Sequence, residues 1–135
     1  MKAVDIMTSD VVMISESNNI ADAIKKMEKT KVSSLIVESI SADDTYGIVT
    51  RRDVVNKVIA SGLDPASVNV AEIMTKPIMT VSPNLSLKHI ANLMVRTGVR
   101  RVPVFDGHKI LGIVSNSDIL HGFARTVNGN GENFS

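Results

Sequence analysis

Apolar residues in this chain follow two spacings that alternate, and the alternation occurs twice. Ile20, Ala23, Ile24 and Met27 stand at i, i+3, i+4 and i+7, which gathers them on one face of an α-helix. Leu87, Ile90, Ala91 and Met94 repeat that spacing. Asn18 or Asn19 before the first helix, and Asn84 or Ser86 before the second, are suitable N-caps, because a short side-chain oxygen satisfies a free N–H of the first turn. A β-rich run follows each helix, Leu35-Ile36-Val37 or Val102-Pro103-Val104-Phe105. After a turn, marked in the second case by the hairpin signal Asp106-Gly107, comes a further strand, Tyr46 to Val49 or Ile110 to Val114. A short strand precedes each helix (Val11 to Ile14; Ile78 to Val81), and a short apolar helical turn precedes that strand (Val4 to Met7; Val70 to Met74). A last helix carries Val54, Val55, Val58 and Ile59, or Ile119, Leu120 and Phe123.

The chain is therefore an internal duplication. Ile6-Met7-Thr8 recurs 67 residues on as Ile73-Met74-Thr75, and Gly47-Ile48-Val49 recurs 65 residues on as Gly112-Ile113-Val114. The first copy thus has two extra residues, which belong in the polar stretch Ser39 to Thr45, since loops absorb insertions. Strand–helix–strand implies a parallel pair, and the hairpin adds an antiparallel strand. The expected fold class is α/β (α+β): two βαββα repeats, packed sheet to sheet with pseudo-two-fold symmetry, because one such unit of roughly 60 residues cannot hide both sheet faces alone. The expected boundaries are residues 1–60 for repeat 1, 61–69 for a linker, 70–124 for repeat 2 and 125–135 for a polar, Gly-rich, disordered tail.

Composition narrows the function. Of the 135 residues 44% are hydrophobic and 21% charged, a soluble globular balance. The net charge of +1 argues against a nucleic-acid surface, and 3% aromatic residues without Trp leave few stacking platforms. The lack of Cys excludes disulfides, thiolate catalysis and Cys-ligated metals. Asp5 stands where a signal peptide needs apolar residues, and no apolar run approaches the roughly 20 residues of a spanning helix. A cytoplasmic protein that is not bound to membrane is expected.

Two clusters carry candidate chemistry. Thr50-Arg51-Arg52-Asp53 and Ser115-Asn116-Ser117-Asp118 each follow Gly-Ile-Val and open a helix. Thr50 or Ser115 can be an N-cap hydroxyl, with the Asp favouring the positive helix end. Equally, a helix N-terminus offers N–H groups to a phosphate, and a carboxylate can accept both hydroxyls of a ribose. The two readings are compatible. In Gly98-Val99-Arg100-Arg101 the arginines suit either an exposed edge or a phosphate, while the first copy has the small polar run Val32-Ser33-Ser34 there. His89, His108 and His121 lack ligand spacing and read as surface residues; the Met residues read as core or interface; Asp43-Asp44 reads as solvated loop charge. No general base or nucleophile arrangement appears, so no enzyme is expected and no cofactor is required.

In order, these motifs resemble a tandem pair of CBS domains, the cystathionine β-synthase motif, or Bateman module, over residues 3 to 123. The resemblance rests on Asp5-Ile6-Met7-Thr8 with Glu72-Ile73-Met74-Thr75, the Val102-Pro103-Val104 strand, and the two Gly-Ile-Val-Thr/Ser-x-x-Asp segments. It implies an adenine nucleotide (AMP, ADP or ATP) as regulatory ligand, with sites built across the two copies. One would combine Ile48, Thr50 and Asp53 with Ile78, Val99, Arg100 and Arg101. The other would combine Ile113, Ser115, Ser117 and Asp118 with Ser9, Val32, Ser33 and Ser34. The first copy departs from the pattern: Ile36 replaces the proline seen at Pro103, and Asp10 stands where the second copy has Pro77, an acid that would repel a phosphate. The implied partners are an effector protein acted on in trans and a second copy, joined as a homodimer through the helices carrying Val54, Val55, Val58 and Ile59, and Leu93, Met94 and Val95. The alternatives are another adenosyl ligand, such as S-adenosylmethionine or NAD, and a ligand-free interaction scaffold.

Overall fold

A computed structural model describes residues 1–127. In chain order the elements are α1 (Ala3–Ile6), β1 (Met13–Ile14), α2 (Ile20–Thr30), β2 (Ser34–Val37) and β3 (Gly47–Thr50). Next come α3 (Arg51–Val54), which continues as a wider π-helical turn over Val55–Ile59, and a 3-10 turn (Pro65–Ser67). The chain ends in α4 (Val70–Ile73), α5 (Leu87–Thr97), β4 (Arg101–Phe105), β5 (Ile110–Ser115) and α6 (Asn116–Val127). The mixed α+β class and the two repeats are those expected. Asn19 caps α2 by accepting from Asp22 N–H, and Ser86 caps α5 by accepting from His89 N–H. Both helices end on a left-handed residue at the same repeat position, Lys31 (φ 60°) and Gly98 (φ 74°). Only the glycine adopts that conformation without a Cβ penalty. Helix α6 runs three residues past the expected end of repeat 2 at 124, to Val127. Most of the polar tail, 128–135, lies outside the described residues.

The chain forms two compact units, residues 12–78 and residues 1–11 with 79 onward. These are not the sequence repeats: each repeat's opening helix folds with the other repeat. In the 12–78 unit, Val70 N–H donates to Asn18 C=O (2.8 Å) and Ala71 N–H to Glu16 C=O (3.0 Å). In the other unit, Ala3 N–H donates to Leu85 C=O (2.8 Å) and Val4 N–H to Pro83 C=O (3.1 Å). The residue after each opening helix's Met then lies along the outer edge of a strand. Thr75 exchanges two 2.9 Å backbone bonds with Ile48 of β3, and Thr8 does the same with Ile113 of β5. An edge strand's unpaired groups are thereby satisfied.

The core of the 12–78 unit gathers Ile20, Ala23 and Met27 of α2 with Leu35, Val37, Val49, Val54 and Val58, closed by Val70 and Ile73 of α4. The other unit gathers Ile90 and Met94 with Val102, Val104 and Val114, closed by Ala3 and Ile6. Ile36 and Pro103 alternate to the opposite sheet face and are fully buried too. In the first sheet the order is β1-β2-β3, with β1 parallel to β2 and β2 antiparallel to β3. In the second unit β4 and β5 pair antiparallel, but the strand expected over Ile78 to Val81 is absent; only Val81 bridges Val104. The reason is Pro103. Its counterpart Ile36 donates its N–H to Val12 C=O (2.9 Å), a bond proline cannot make.

The glycine that opens each Gly-Ile-Val motif is explained by the edge contact. A Cβ on Gly112 would lie 2.7 Å from Thr8 O and 2.7 Å from Met7 Sδ; one on Gly47 would lie 3.0 Å from Thr75 O. Gly112→Ala is expected to destabilise the protein by about 1–3 kcal/mol, and Gly47→Ala by less, since forced overpacking costs that much. Urea unfolding checks the order; equal and negligible effects would show that the close approach is dispensable.

Candidate functional site

Strand β3 runs straight into α3, and the junction is a reciprocal cap. Thr50 Oγ1 accepts from Asp53 N–H at 3.1 Å, while Asp53 Oδ2 accepts from Thr50 N–H at 3.0 Å. Asp53 Oδ1 lies 3.5 Å from Lys57 Nζ, one turn on, and that ammonium also donates to Ile73 C=O (3.0 Å) at the end of α4. The β5–α6 junction repeats the cap. Asp118 Oδ2 accepts from Ser115 N–H (2.8 Å) and from Ser115 Oγ (3.0 Å), and Asp118 N–H donates to Ser115 Oγ (3.2 Å). Here Oδ1 accepts from Thr8 Oγ1 at 3.2 Å. The cap reading of both aspartates is thus realised, and each carboxylate is locked in orientation by it. Asp118 has one more donor from its own chain than Asp53.

The other expected site residues divide between the units. Ile48, Thr50, Asp53 and Ile78 lie in the 12–78 unit with Val32, Ser33 and Ser34; Ser9, Ile113, Ser115, Ser117 and Asp118 lie in the other with Val99, Arg100 and Arg101. Within units, the strand register sets Ser34 opposite Thr50 and Arg101 opposite Ser115. Ser33 C=O accepts from Arg51 N–H (2.8 Å), and Arg100 C=O from Asn116 N–H (3.2 Å). Arg100, Ser117, Ser9 and Asp10 are exposed, whereas Ser34 is buried. The three histidines are exposed, and Nδ1 of His89 lies 2.6 Å from Ser86 Oγ.

One cluster escaped sequence reasoning. Asp44 is not mere solvated charge: its Oδ2 holds Lys76 Nζ at 2.6 Å. Lys76 also reaches Glu16 Oε2 (3.0 Å) and Glu38 C=O (3.5 Å), and its side chain is only 11% exposed. The three partners are 60, 38 and 32 residues away in sequence, so no local pattern could reveal them. The bond from Lys76, with another from Ile40 N–H, holds the Asp44 carboxyl below the usual 3.8. Lys76 is raised in turn, chiefly by Asp44, against the opposing effect of its burial.

A groove of about 600 Å³ opens between α2 and α3, lined by Ile24, Met27, Val32, Val54, Val55 and Ile59, with Glu28, Lys31, Ser33 and Arg51 also lining it. Of the expected ligand residues only Val32 and Ser33 line it, so the groove is distinct from the caps. The expected assembly face is also corrected here. Val54, Val58 and Met94 are core residues, and the exposed members are Val55 (44%), Ile59 (57%) and Val95 (82%). At repeat-equivalent positions Val32 and Val55 become Val99 and Leu120, both exposed.

Two βαββα-type repeats whose third strands end in capped Thr/Ser-x-x-Asp turns define a class, and comparison with known proteins agrees. The CBS domain family model matches residues 3–60 and 70–125, and the chain belongs to that family as a tandem CBS pair. It is 32% identical over 117 residues to an uncharacterized protein of Methanopyrus kandleri, covering 86% of this chain but 59% of that protein. It is 35% identical to hypoxic response protein 1 of Mycobacterium tuberculosis, covering 85% of this chain and 80% of the relative. Among solved structures, a hexameric CBS-CP12 protein from bloom-forming cyanobacteria matches with a TM-score of 0.90 and 44% identity, over 96% of this chain and 75% of that one. Among the described residues no helix is long and apolar enough to cross a membrane.

The Lys76 cluster yields a pH prediction. A carboxyl whose folded pKa is lowered stabilises the fold above its unfolded value and loses that contribution as pH falls through the folded one. The stability difference between wild type and Asp44→Asn should therefore be flat over about pH 5–9 and shrink below about pH 3.8. Thermal unfolding of both proteins across that range checks it; a difference that grows on acidification would contradict the pairing.

Proposed function

We propose that this CBS pair is a non-catalytic sensor of adenine nucleotides, AMP, ADP or ATP, that signals to an effector protein in trans. The observation that carries the reading is the doubled cap. At each strand-to-helix junction a carboxylate is oriented by its own helix start, beside a hydroxyl and first-turn N–H groups. A vicinal diol is a good donor pair for such a carboxylate, and charge-assisted bonds of this kind contribute about 1.5–3 kcal/mol. The Arg100–Arg101 pair, which the strand register sets beside the Ser115 junction, would offer the charge a phosphate needs, which favours a nucleotide over S-adenosylmethionine, a ligand without one. The two aspartates are not equal: Oδ1 of Asp118 accepts a hydrogen bond from Thr8 at 3.2 Å, whereas Oδ1 of Asp53 has only the longer 3.5 Å ion pair with Lys57, so Asp53 is the stronger candidate. The same bond favours a purely structural role for Asp118.

Asp53→Asn separates cap from ligand contact. The amide oxygen still accepts from Thr50 N–H, so folding stability should change by less than about 0.5 kcal/mol, while the lost charge weakens adenosine and AMP alike by roughly tenfold or more. Titration calorimetry with adenosine, AMP and 2′,3′-dideoxyadenosine reads this, the last being indifferent to the substitution. Wild-type affinity in a folded Asp53→Asn would leave Asp53 as a cap alone.

The module acts as a homodimer in this reading. The α2–α3 groove combines apolar residues with charges of both signs, Glu28 with Lys31 and Arg51, a set that a second copy related by a two-fold axis could pair with its own. The repeat presents a like face with Val95, Val99 and Leu120, and exposing such surfaces is unfavourable. Val55→Glu with Ile59→Glu should convert the dimer to a monomer in light scattering. A wild type that is monomeric at high micromolar concentration would overturn the assignment.

A further inference from the structure

We propose that Lys76 is a positioning residue for adenosine recognition, holding the Thr75–Ile78 backbone through its ion pairs with Asp44 and Glu16. The inference rests on the adenosine-sensing reading above, in which Ile78 is a contact for the ligand. The ammonium has three N–H donors and three acceptors around it, Asp44 Oδ2, Glu16 Oε2 and Glu38 C=O, so none is left for a phosphate. These acceptors come from three places: the turn before α2, the end of β2 and the loop before β3. Asp44 stands two residues before Tyr46, whose C=O accepts from Ile78 N–H at 3.1 Å. Lys76 lies between that bond and the paired bonds of Thr75 with Ile48, and it ties the whole segment to the loop.

Lys76 and Glu16 have no charged counterparts in the other repeat. Ser9, exposed, stands at the position of Lys76, and Pro83 at that of Glu16. The acid at Asp44 belongs to the stretch that is two residues longer in the first copy. An isolated exposed ion pair would contribute little, but this ammonium is mostly buried and joins three segments distant in sequence. One of the two ligand-facing segments is therefore clamped from behind, and the two sites are built to differ in preorganisation.

Calorimetry with adenosine and AMP on the whole chain, paired with amide hydrogen exchange of the apo protein, tests this. Lys76→Met should weaken adenosine and AMP equally, by about tenfold, with faster exchange at Ile78 and Thr75 than at Val70. Lys76→Arg, which keeps the charge, should restore most of both. A loss confined to AMP would make Lys76 a phosphate ligand and overturn the proposal, as would unchanged affinity in a folded Lys76→Met. If Lys76→Met does not fold, Asp44→Asn carries the test, with a loss of about threefold or more expected for both ligands and wild-type affinity overturning it. A wild type that binds neither ligand refutes the nucleotide reading itself; exchange at Ile78 then still decides whether Lys76 clamps the segment.

Discussion

The approach of Thr8 to Ile113, and of Thr75 to Ile48, is the contact on which the rest of the molecule depends. It seals the outer edge of each hairpin, brings an apolar helical turn over each core, and exchanges those turns between the repeats. A Cβ at Gly112 would force this contact to shift, and one at Gly47 would crowd it. The β-strand that needs this glycine is the one that runs into the helix whose first turn holds the capping aspartate. The backbone leading to Asp53 or Asp118 is therefore fixed from one side by the edge contact and from the other by the hairpin partner. A ligand at either junction meets a preorganised carboxylate rather than a flexible loop.

Identical topology has been tuned differently in the two halves. Pro103 removes one N–H and reduces a parallel strand to a single bridge, where Ile36 keeps a two-residue strand. Lys57 reaches from α3 to the end of α4, where its counterpart Gly122 lets α6 close on Ile6 directly. Lys76 with Asp44 clamps one opening segment, where Ser9 leaves the other unclamped. Thr8 donates to Asp118, while the cation beside Asp53 is Lys57. Although Ile36, Pro103 and Gly122 are themselves buried, these exchanges leave the apolar residues of the two core clusters in place, which explains how they accumulate without changing the fold. All of them lie within a turn or two of the candidate ligand residues.

Periodicity and duplication made the helices, the hairpins and the existence of two repeats legible, because those depend on local spacing. The caps were legible too: Thr50 with Asp53, and Ser115 with Asp118, are three apart, the separation a capping box needs. Three features were not. The exchange of α1 and α4 between units depends on backbone bonds to residues tens of positions away. The loss of the strand before α5 depends on one missing N–H in a different strand, although Pro103 itself was visible. The Lys76 cluster joins residues 16, 38, 44 and 76, each unremarkable in its own neighbourhood. Exposure also could not be assigned from apolarity alone: Val54 and Val58 face the core, while Val55 and Ile59, on the same turns, face the groove.

That last division bears on signalling. The helix that begins at Arg51 has Asp53 at its cap, and on the same nine residues it carries Val54, Val55 and Ile59 along the groove. Its second half is π-helical, with Ala60 N–H reaching Val55 C=O at 2.8 Å, a wider turn of the kind that often marks functional segments. In the proposed reading, a ligand drawn to the Asp53 carboxylate competes with Thr50 N–H and Lys57 for the same oxygens, and so would act on the start of the element whose far side lines the groove. Coupling of this sort is reciprocal by thermodynamic necessity: whatever ligand occupancy does to association, association does to ligand affinity by the same factor. The helix is short and its core anchors, Val54 and Val58, are fixed. The part of the element free of the core is its exposed flank, so in the proposed reading occupancy at Asp53 would reach the groove only through the first turn that joins the cap to Val55 and Ile59.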